Sequence, residues 1–131
     1  MLSPCFIGVN DFPRCFAFYG ELMTVLGHQV RFSESDWPRA GWQQPGVARP
    51  LFGIASAENG QPAAPGDGQM VALLAQSRAQ VDAAHAASLA AGGTDAGAPG
   101  LRPQDHANFY GAYLRDPDDT KIGLACHAPA A

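Results

Sequence analysis

Charged residues are scarce in this sequence, and lysine is almost absent. Of the 131 residues, 15% are charged, and Lys121 is the only lysine beside seven arginines that are scattered along the chain. The net charge is −4. Nucleic acids and anionic membranes are bound by clustered basic residues that displace counterions. Because the sequence has no such cluster, its composition argues against both as partners.

Cysteines and long apolar runs are also lacking. The three cysteines, Cys5, Cys15 and Cys126, have no metal-finger spacing, and an odd number suits a reducing compartment. There is no run of about 18 apolar residues, and the N-terminus has no basic segment followed by an apolar one. We therefore expect structural thiols, no membrane span and a cytoplasmic location.

The first half of the chain predicts one strand–helix unit. The apolar run Cys5–Val9 predicts a strand, and Asn10 and Asp11 follow it as helix-capping residues. Apolar side chains then recur at three- and four-residue spacing, which predicts an amphipathic helix that Gly27 ends. These side chains are Phe12, Phe16, Tyr19, Leu22, Met23 and Leu26. Further strands are predicted at 29–32, 41–43 and 51–56.

A linker at 58–68, polar and rich in proline and glycine, separates this unit from a second one. The second unit has an apolar run at 70–75 and a helix that starts at Ser77 with a capping-box pattern. Ser77 follows Asp11 by 66 residues, and the two helix-ending glycines, Gly27 and Gly93, have the same spacing. Two βαβββ modules in a single domain explain this repeat, because each is too small to bury a good core alone.

The C-terminal segment 106–127 predicts a closing β-hairpin. After a Gly/Pro-rich turn comes an aromatic strand at 108–115, then the turn Asp116-Pro117-Asp118-Asp119 and a strand at 121–126. Side chains alternate along the aromatic strand, so that Tyr113 faces one way and Tyr110 the other. One face covers a helix, and the sequence leaves open which face this is.

Several short motifs occur in a specific order along the chain. They are Gly8-Val9-Asn10-Asp11, Phe18-Tyr19, Leu26-Gly27, Val81-Asp82, Ala91-Gly92-Gly93-Thr94, the run 97–103, Asn108-Phe109-Tyr110 and Arg115-Asp116-Pro117-Asp118. In this order they resemble the glyoxalase/bleomycin-resistance/dioxygenase superfamily, also called vicinal oxygen chelate proteins. The resemblance implies an α+β fold in which two βαβββ modules, at about 1–57 and 69–131, form an open, cup-shaped mixed sheet.

In the enzymes of that superfamily, the resemblance implies a divalent metal held in the cup. Its usual ligands are a His at the start of each module's first strand and a Glu in the last strand. These positions fall on Pro4, Met70 and Gly123. Proline and glycine have no side-chain donor, and a thioether is a soft and weak one. The sequence therefore predicts no metal at this position and no cofactor.

Five other residues are candidate ligand contacts: Trp42, Arg102, His106, Tyr110 and Tyr113. Trp42 would form an aromatic wall, with core packing as the alternative, and Arg102 would pair with an anionic ligand or form a surface ion pair. His106 is the one candidate acid–base group, because a free imidazole titrates near neutrality; a capping or packing role is the alternative. A metal cluster of His106, Cys126 and His127 would need two more donors.

Three functions fit these observations. The first is a metal-independent protein that binds a small organic molecule in its cup. The second is an enzyme, either a lyase, an isomerase or a dioxygenase, with a non-standard site. The third is a structural or regulatory dimer without a ligand. We favour the first, because the metal positions lack donors while an aromatic strand crosses the domain. The resemblance also implies a homodimer, in which two copies complete one another across a two-fold axis.

Overall fold

The structure, a computed structural model, describes residues 1–57 and 59–130. Two βαβββ modules are present, so the predicted α+β class is confirmed. The first module contains β1 (Pro4–Val9), α1 (Phe12–Leu26), β2 (Gln29–Glu34), β3 (Arg39–Gln43) and β4 (Leu51–Ser56). The second contains β5 (Val71–Leu74), α2 (Arg78–Ala90), β6 (Thr94–Leu101), β7 (Tyr110–Arg115) and β8 (Lys121–Cys126). Glu58, in the predicted linker, lies outside the described residues.

Each module forms one four-stranded mixed sheet, and the two sheets have the same topology. The strand orders are β1-β4-β3-β2 and β5-β8-β7-β6. The first and last strands of each module pair in parallel, with Cys5 opposite Phe52 and Ala72 opposite Gly123, and the other pairs are antiparallel. This duplicated topology is the structural origin of the repeat in the sequence.

Helix α1 begins and ends at the predicted residues. The Asp11 carboxylate accepts a hydrogen bond from the Arg14 backbone N–H at 3.2 Å. Gly27 follows the last turn with a φ of 84°, a conformation that glycine adopts without steric cost. The face of the helix with Phe18, Tyr19 and other apolar side chains is fully buried against the sheet.

Helix α2 begins as predicted but ends differently. The Ser77 hydroxyl accepts a hydrogen bond from the Gln80 backbone N–H at 3.0 Å, while the Gln80 side chain accepts one from the Gln76 N–H at 2.7 Å. At the other end, Gly92 has the positive φ, 108°, where the sequence repeat predicted Gly93. Gly93 has no room for a Cβ beside the Phe18 ring, so close packing explains this glycine instead.

The prediction of a turn for the Gly/Pro-rich segment before the aromatic strand is wrong, because this segment forms strand β6. This strand lies at the sheet edge and pairs with β7 through two register shifts, between Asp95 and Gly97 and between Gly97 and Gly100. An edge strand tolerates Pro99 because only one side of it needs a complete hydrogen-bond ladder. The aromatic strand starts at Tyr110 rather than Asn108, because a turn closed by the Phe109 N–H and the His106 carbonyl precedes it.

The closing hairpin is present as predicted, with β7 and β8 joined at residues 116–120. Asp119 has a φ of 70°, a left-handed conformation that aspartate tolerates better than most residues other than glycine. One carboxylate oxygen of Asp116 accepts hydrogen bonds from the Asp118 and Thr120 backbone N–H groups, both at 2.9 Å. Asp118 instead reaches the other module, where its carboxylate accepts a bond from the Asn10 N–H.

The two modules are joined through their helices and through the linker. Helix α1 packs against α2. The Asn10 side chain makes two hydrogen bonds with the backbone of Ala63, at 2.8 and 3.0 Å, which hold the linker against the end of β1. Within the described residues, neither helix combines the length and hydropathy needed to cross a membrane.

Candidate functional site on the open face

Each sheet has one face covered by its helix and one face without a helix, which we call the open face. On β7, Ala112 and Leu114 are fully buried under α2, so Tyr113 between them lies on the open face. On β8, Ile122 and Leu124 are buried in the same way, and Lys121 and Gly123 alternate with them. The question that the sequence left open is thus answered: Tyr110 faces the helix and Tyr113 faces away from it.

Tyr113 is the centre of a cluster on the open face, which we call the Tyr113 cluster: Met70, Arg102, Tyr113, Lys121 and Gly123. The Lys121 Nζ lies 5.0 Å from the centroid of the Tyr113 ring, and the Arg102 Cζ lies 5.6 Å from it. Both distances are in the range of cation–π contacts. Two of the eight cationic side chains of the protein therefore lie beside the same aromatic ring.

Two of the three positions that would bind the family's metal converge at this cluster, and their side chains do not suit a metal. A Cβ atom added to Gly123 would lie 3.2 Å from the Met70 Sδ and 3.5 Å from the Tyr113 Cε1. The space into which a Glu side chain would extend is thus occupied by a thioether and an aromatic ring. Pro4, the third position, lies two residues before Phe6 and therefore on the same, open face of β1, and its side chain has no donor atom. The residues present do not fit a divalent metal ion.

A cavity of about 510 Å³ lies between the two sheets beside this cluster. It is lined by Phe6 and Ile7 of β1, by residues 64–66 and 68–69 before β5, by Met70 and Val71, and by Lys121 of β8. We call it the open-face cavity. Phe6 and Met70 are 41% and 45% exposed, so their apolar surfaces are accessible to a molecule in the cavity. The volume is within the range of about 300–1,000 Å³ that is usual for small-molecule sites.

Lys121 is the one charged side chain among the described residues that line this cavity. Within the described residues it forms no ion pair, whereas Arg115, which lines an adjacent cavity of about 510 Å³ with Lys121, lies 3.7 Å from the Asp119 carboxylate. Arg102 also has no carboxylate partner there, and its guanidinium donates to the Ala98 carbonyl at 2.8 Å. Asp67 and Asp119 also line the adjacent cavity with Arg115 and Lys121, so that cavity has side chains of both charges, whereas the cavity beside Phe6 has Lys121 alone among its described lining residues.

Two of the predicted ligand contacts, Trp42 and Tyr110, lie on the helix-covered faces. Trp42 is 2% exposed, and its ring centroid lies 5.6 Å from that of Phe16 on α1. Tyr110 donates its hydroxyl hydrogen bond to Asp82 of α2 at 2.6 Å, and this bond is the main cause of the raised pKa of Tyr110. The structure does not bring either residue to the Tyr113 cluster.

His106 lies near the C-terminal end of β8 and forms a pair with His127. The two rings are joined by a bond of 2.8 Å between the His106 Nε2 and the His127 Nδ1, and Phe109 packs edge-on against both. The Asn108 backbone N–H donates to the His106 Nδ1 at 3.1 Å, so the proton of a neutral His106 is on Nε2, which donates to His127. Neither nitrogen of His106 is free to take a proton from a substrate.

The metal cluster considered for this region also lacks its third donor. Cys126, the last residue of β8, is 1% exposed and lies on the same, helix-covered face as Ile122 and Leu124, whereas His127 follows the strand and pairs with His106. Within residues 1–57 and 59–130, no three His, Cys, Asp or Glu side chains come together in a way that would hold a metal ion.

Comparison with known protein families identifies the fold. The family model described as "Glyoxalase/Bleomycin resistance protein/Dioxygenase superfamily" matches residues 2–124. The chain belongs to this superfamily. The resemblance inferred from the motifs is therefore confirmed. A comparison with curated proteins gave no significant match.

Several solved structures have the same architecture. A glyoxalase/bleomycin resistance protein from Albidiferax ferrireducens T118 is 38% identical with a TM-score of 0.86, over 96% of this chain and 98% of that one. A glyoxalase-related enzyme from Fulvimarina pelagi is 21% identical with a TM-score of 0.72, over 96% and 87% of the two chains. A lactoylglutathione lyase from Agrobacterium tumefaciens is 17% identical with a TM-score of 0.63, over 96% and 92%. The last two likenesses concern the fold alone.

Sequence reasoning missed Phe6 and Lys121 as site residues. Phe6 lies in an apolar run that reads as a buried strand, although it is opposite Gly53 on the open face. Lys121 was noted only as the single lysine of the sequence. The signal for Lys121 was its alternation with Ile122, combined with the lack of any other lysine in the sequence.

Proposed function

We propose that the protein binds a small organic anion with an apolar body in the open-face cavity, without a metal. The observation that carries this proposal is that Phe6, Met70 and Lys121 line one cavity where the two sheets meet. An apolar body would pack against Phe6 and Met70, while its carboxylate would pair with Lys121. Arg102 adds a second positive charge beside the same tyrosine ring.

Charge complementarity supports an anion rather than a neutral ligand. Lys121 is the one charged side chain among the described residues that line the open-face cavity, and neither Lys121 nor Arg102 forms an ion pair in the described part of the chain. In a partly enclosed cavity, a charge that lacks a counter-charge attracts an anion more strongly than it would on the open surface. The donor set at Pro4, Met70 and Gly123 supports a metal-independent mode, because none of these residues offers a nitrogen or oxygen side-chain ligand.

Benzoate is a suitable probe, because it joins one carboxylate to one aromatic ring. We expect calorimetric titration of the purified protein with benzoate to show one site whose affinity is unchanged by EDTA and weakened by salt. Lys121→Met, which keeps the apolar stem, is expected to weaken binding about tenfold, as the loss of one charge-assisted contact would. Arg102→Met is expected to have a smaller effect, because Arg102 does not line the cavity itself.

Arg14→Met is the matched control, because it removes the same charge from the exposed surface of α1. Its benzoate affinity is expected to equal that of the native protein. Equal losses in Arg14→Met and Lys121→Met would show a long-range charge effect and contradict the proposed site. Loss of binding in EDTA would contradict the metal-independent mode.

The homodimer and the cytoplasmic location stay predictions. Sedimentation at micromolar concentration measures the first, and a monomer would contradict it. Fractionation of the source cells measures the second.

A further inference from the structure

A third cavity, of about 390 Å³, lies where the two modules meet; we call it the junction cavity. The first module supplies Leu26 at the end of α1 and the rings of Trp42 and Phe52 from β3 and β4. The second module supplies Val71 and Leu73 from β5. The junction cavity shares only Cys5 and Val71 with the open-face cavity that holds Phe6 and Lys121.

The chemistry of the junction cavity differs from that of the open face. None of the described residues that line it carries a carboxylate, an ammonium or a guanidinium group. Its polar lining consists of His28 and three glutamines, Gln43, Gln44 and Gln76. Burial lowers the pKa of His28 from its ordinary value of 6.5, so this ring is neutral at pH 7. The wall is thus uncharged throughout.

An uncharged apolar wall selects against charged ligands. An ion that enters it loses its hydration without gaining a counter-charge. The unfavourable free energy of this desolvation is much larger than the favourable free energy of the apolar contacts. A neutral ring loses little hydration and gains contact with aromatic and aliphatic side chains. A single hydroxyl or carbonyl group is compatible with the cavity, because the amides of Gln44 and Gln76 both donate and accept hydrogen bonds.

We infer that the junction cavity is a second ligand site, which takes a small neutral aromatic molecule, and that it is distinct from the proposed anion site on the open face. Exposed aliphatic side chains surround its mouth: Leu2, Val47 and Leu74 are 64%, 38% and 66% exposed. These side chains lose water contact when a ring covers them, which adds to the stability of the complex.

Toluene and benzoate form a probe pair that separates the two sites, because they share a ring and differ in charge. In methyl-resolved NMR spectra of the full chain, we expect toluene to shift the methyl signals of Met23, Leu51 and Leu73. Benzoate is expected to shift the Met70 methyl signal instead. Toluene that shifts no signal at saturation, or that shifts Met70 instead of the junction methyls, would overturn the inference.

Val47→Trp places a large side chain at the mouth of the junction cavity from an exposed position, where the fold tolerates it. We expect it to weaken toluene binding by about tenfold or more, because the ring competes for the same apolar surface. Val30→Trp is the matched control, since Val30 is 49% exposed and does not line this cavity. Toluene binding is expected to be unchanged there and in Lys121→Met. An equal loss in both tryptophan variants would overturn the assignment of the site.

The proposals for the two sites can be contradicted independently of each other. If benzoate does not bind but toluene shifts the junction methyls, the anion site is wrong and the junction site holds. If Lys121→Met weakens both probes equally, there is one site on the open face, and the junction site is wrong.

Discussion

The Tyr19 hydroxyl donates a hydrogen bond of 2.6 Å to the Asp116 carboxylate, and this bond joins the helix of the first module to the closing turn of the second. Tyr19 is fully buried and Asp116 is 3% exposed. A second contact runs in parallel, from the Cys15 thiol to the Asp118 carboxylate at 3.3 Å. The Asp-rich turn that marks the family in the sequence thus also fastens the two modules together.

Tyr19→Phe is expected to lower the free energy of unfolding by roughly 1–3 kcal/mol, the cost of leaving a buried acceptor without its donor. Urea denaturation measures the effect. Tyr110→Phe is the matched control, because its hydroxyl bond goes to Asp82, which is exposed and can bond to water instead. We expect the control to lose under about 1 kcal/mol, and equal losses would contradict the role assigned to the Tyr19–Asp116 bond.

The same carboxylate predicts a pH dependence of stability. Burial raises the pKa of Asp116 from its ordinary value of 3.8, against the hydrogen bonds that it accepts from Tyr19, Thr120 and Asp118. The folded state therefore binds this proton more tightly than the unfolded state does. The stability that the proton contributes is complete below pH 3.8 and is lost as the pH rises through the raised value.

Asp116→Asn removes this titration while it keeps a polar group in the turn. The difference in unfolding free energy between the native protein and the variant is expected to fall as the pH rises above 3.8, and then to become constant. His28, whose pKa is lowered, makes both proteins less stable as the pH falls below 6.5, and its contribution cancels in the difference. A difference that does not vary with pH would contradict the titration of Asp116.

Local sequence patterns predicted the parts of the fold that depend on neighbouring residues. Helix α1 has a capping carboxylate at Asp11, an apolar stripe and the helix-ending Gly27, and all three act within a few residues of each other. The closing hairpin is equally local, because the Asp116 side chain bonds to the backbone of the turn itself. These elements were predicted with their correct bounds or within two residues of them.

Features that depend on distant parts of the chain were not predictable in the same way. Strand β6 contains Pro99 and two glycines, and only its place at the sheet edge beside β7 makes it a strand. The direction of Tyr113 depends on which face α2 covers, and the role of Lys121 depends on Phe6, which lies more than a hundred residues earlier. The alternation of side chains along a strand predicts that the strand has two faces, but the packing of the helix on the sheet decides which face a ligand can reach.

The positive φ of Asp119 predicts which substitutions the closing turn tolerates. Asp119→Gly is expected to leave stability within about 0.5 kcal/mol, because glycine adopts a φ of 70° without strain. Asp119→Val is expected to lower it by about 1–2 kcal/mol, because a β-branched side chain is strained there. Both variants lose the exposed contact with Arg115, so the comparison isolates the backbone term. Equal thermal unfolding temperatures would contradict this reasoning.

The metal-free reading of the open face predicts that the missing donors can be restored. Pro4, Met70 and Gly123 all face away from the helices, by alternation with the buried residues of their strands. Met70→His supplies an imidazole and also removes the thioether that would lie 3.2 Å from the Cβ of a residue at 123. With Pro4→His and Gly123→Glu added, three donors of the types that bind zinc and nickel share one face.

We expect the triple variant to bind nickel in calorimetry, and the native protein to contain no stoichiometric metal when it is purified without a tag. The double variant with Pro4→His and Met70→His is the control, and it is expected to bind nickel at least about tenfold more weakly, because it lacks the carboxylate. Stoichiometric zinc, iron, nickel or manganese in the native protein would refute the metal-free proposal. Failure of the triple variant to bind nickel, in a folded protein, would show instead that the three positions do not converge, and the family's site would then lie elsewhere on the open face.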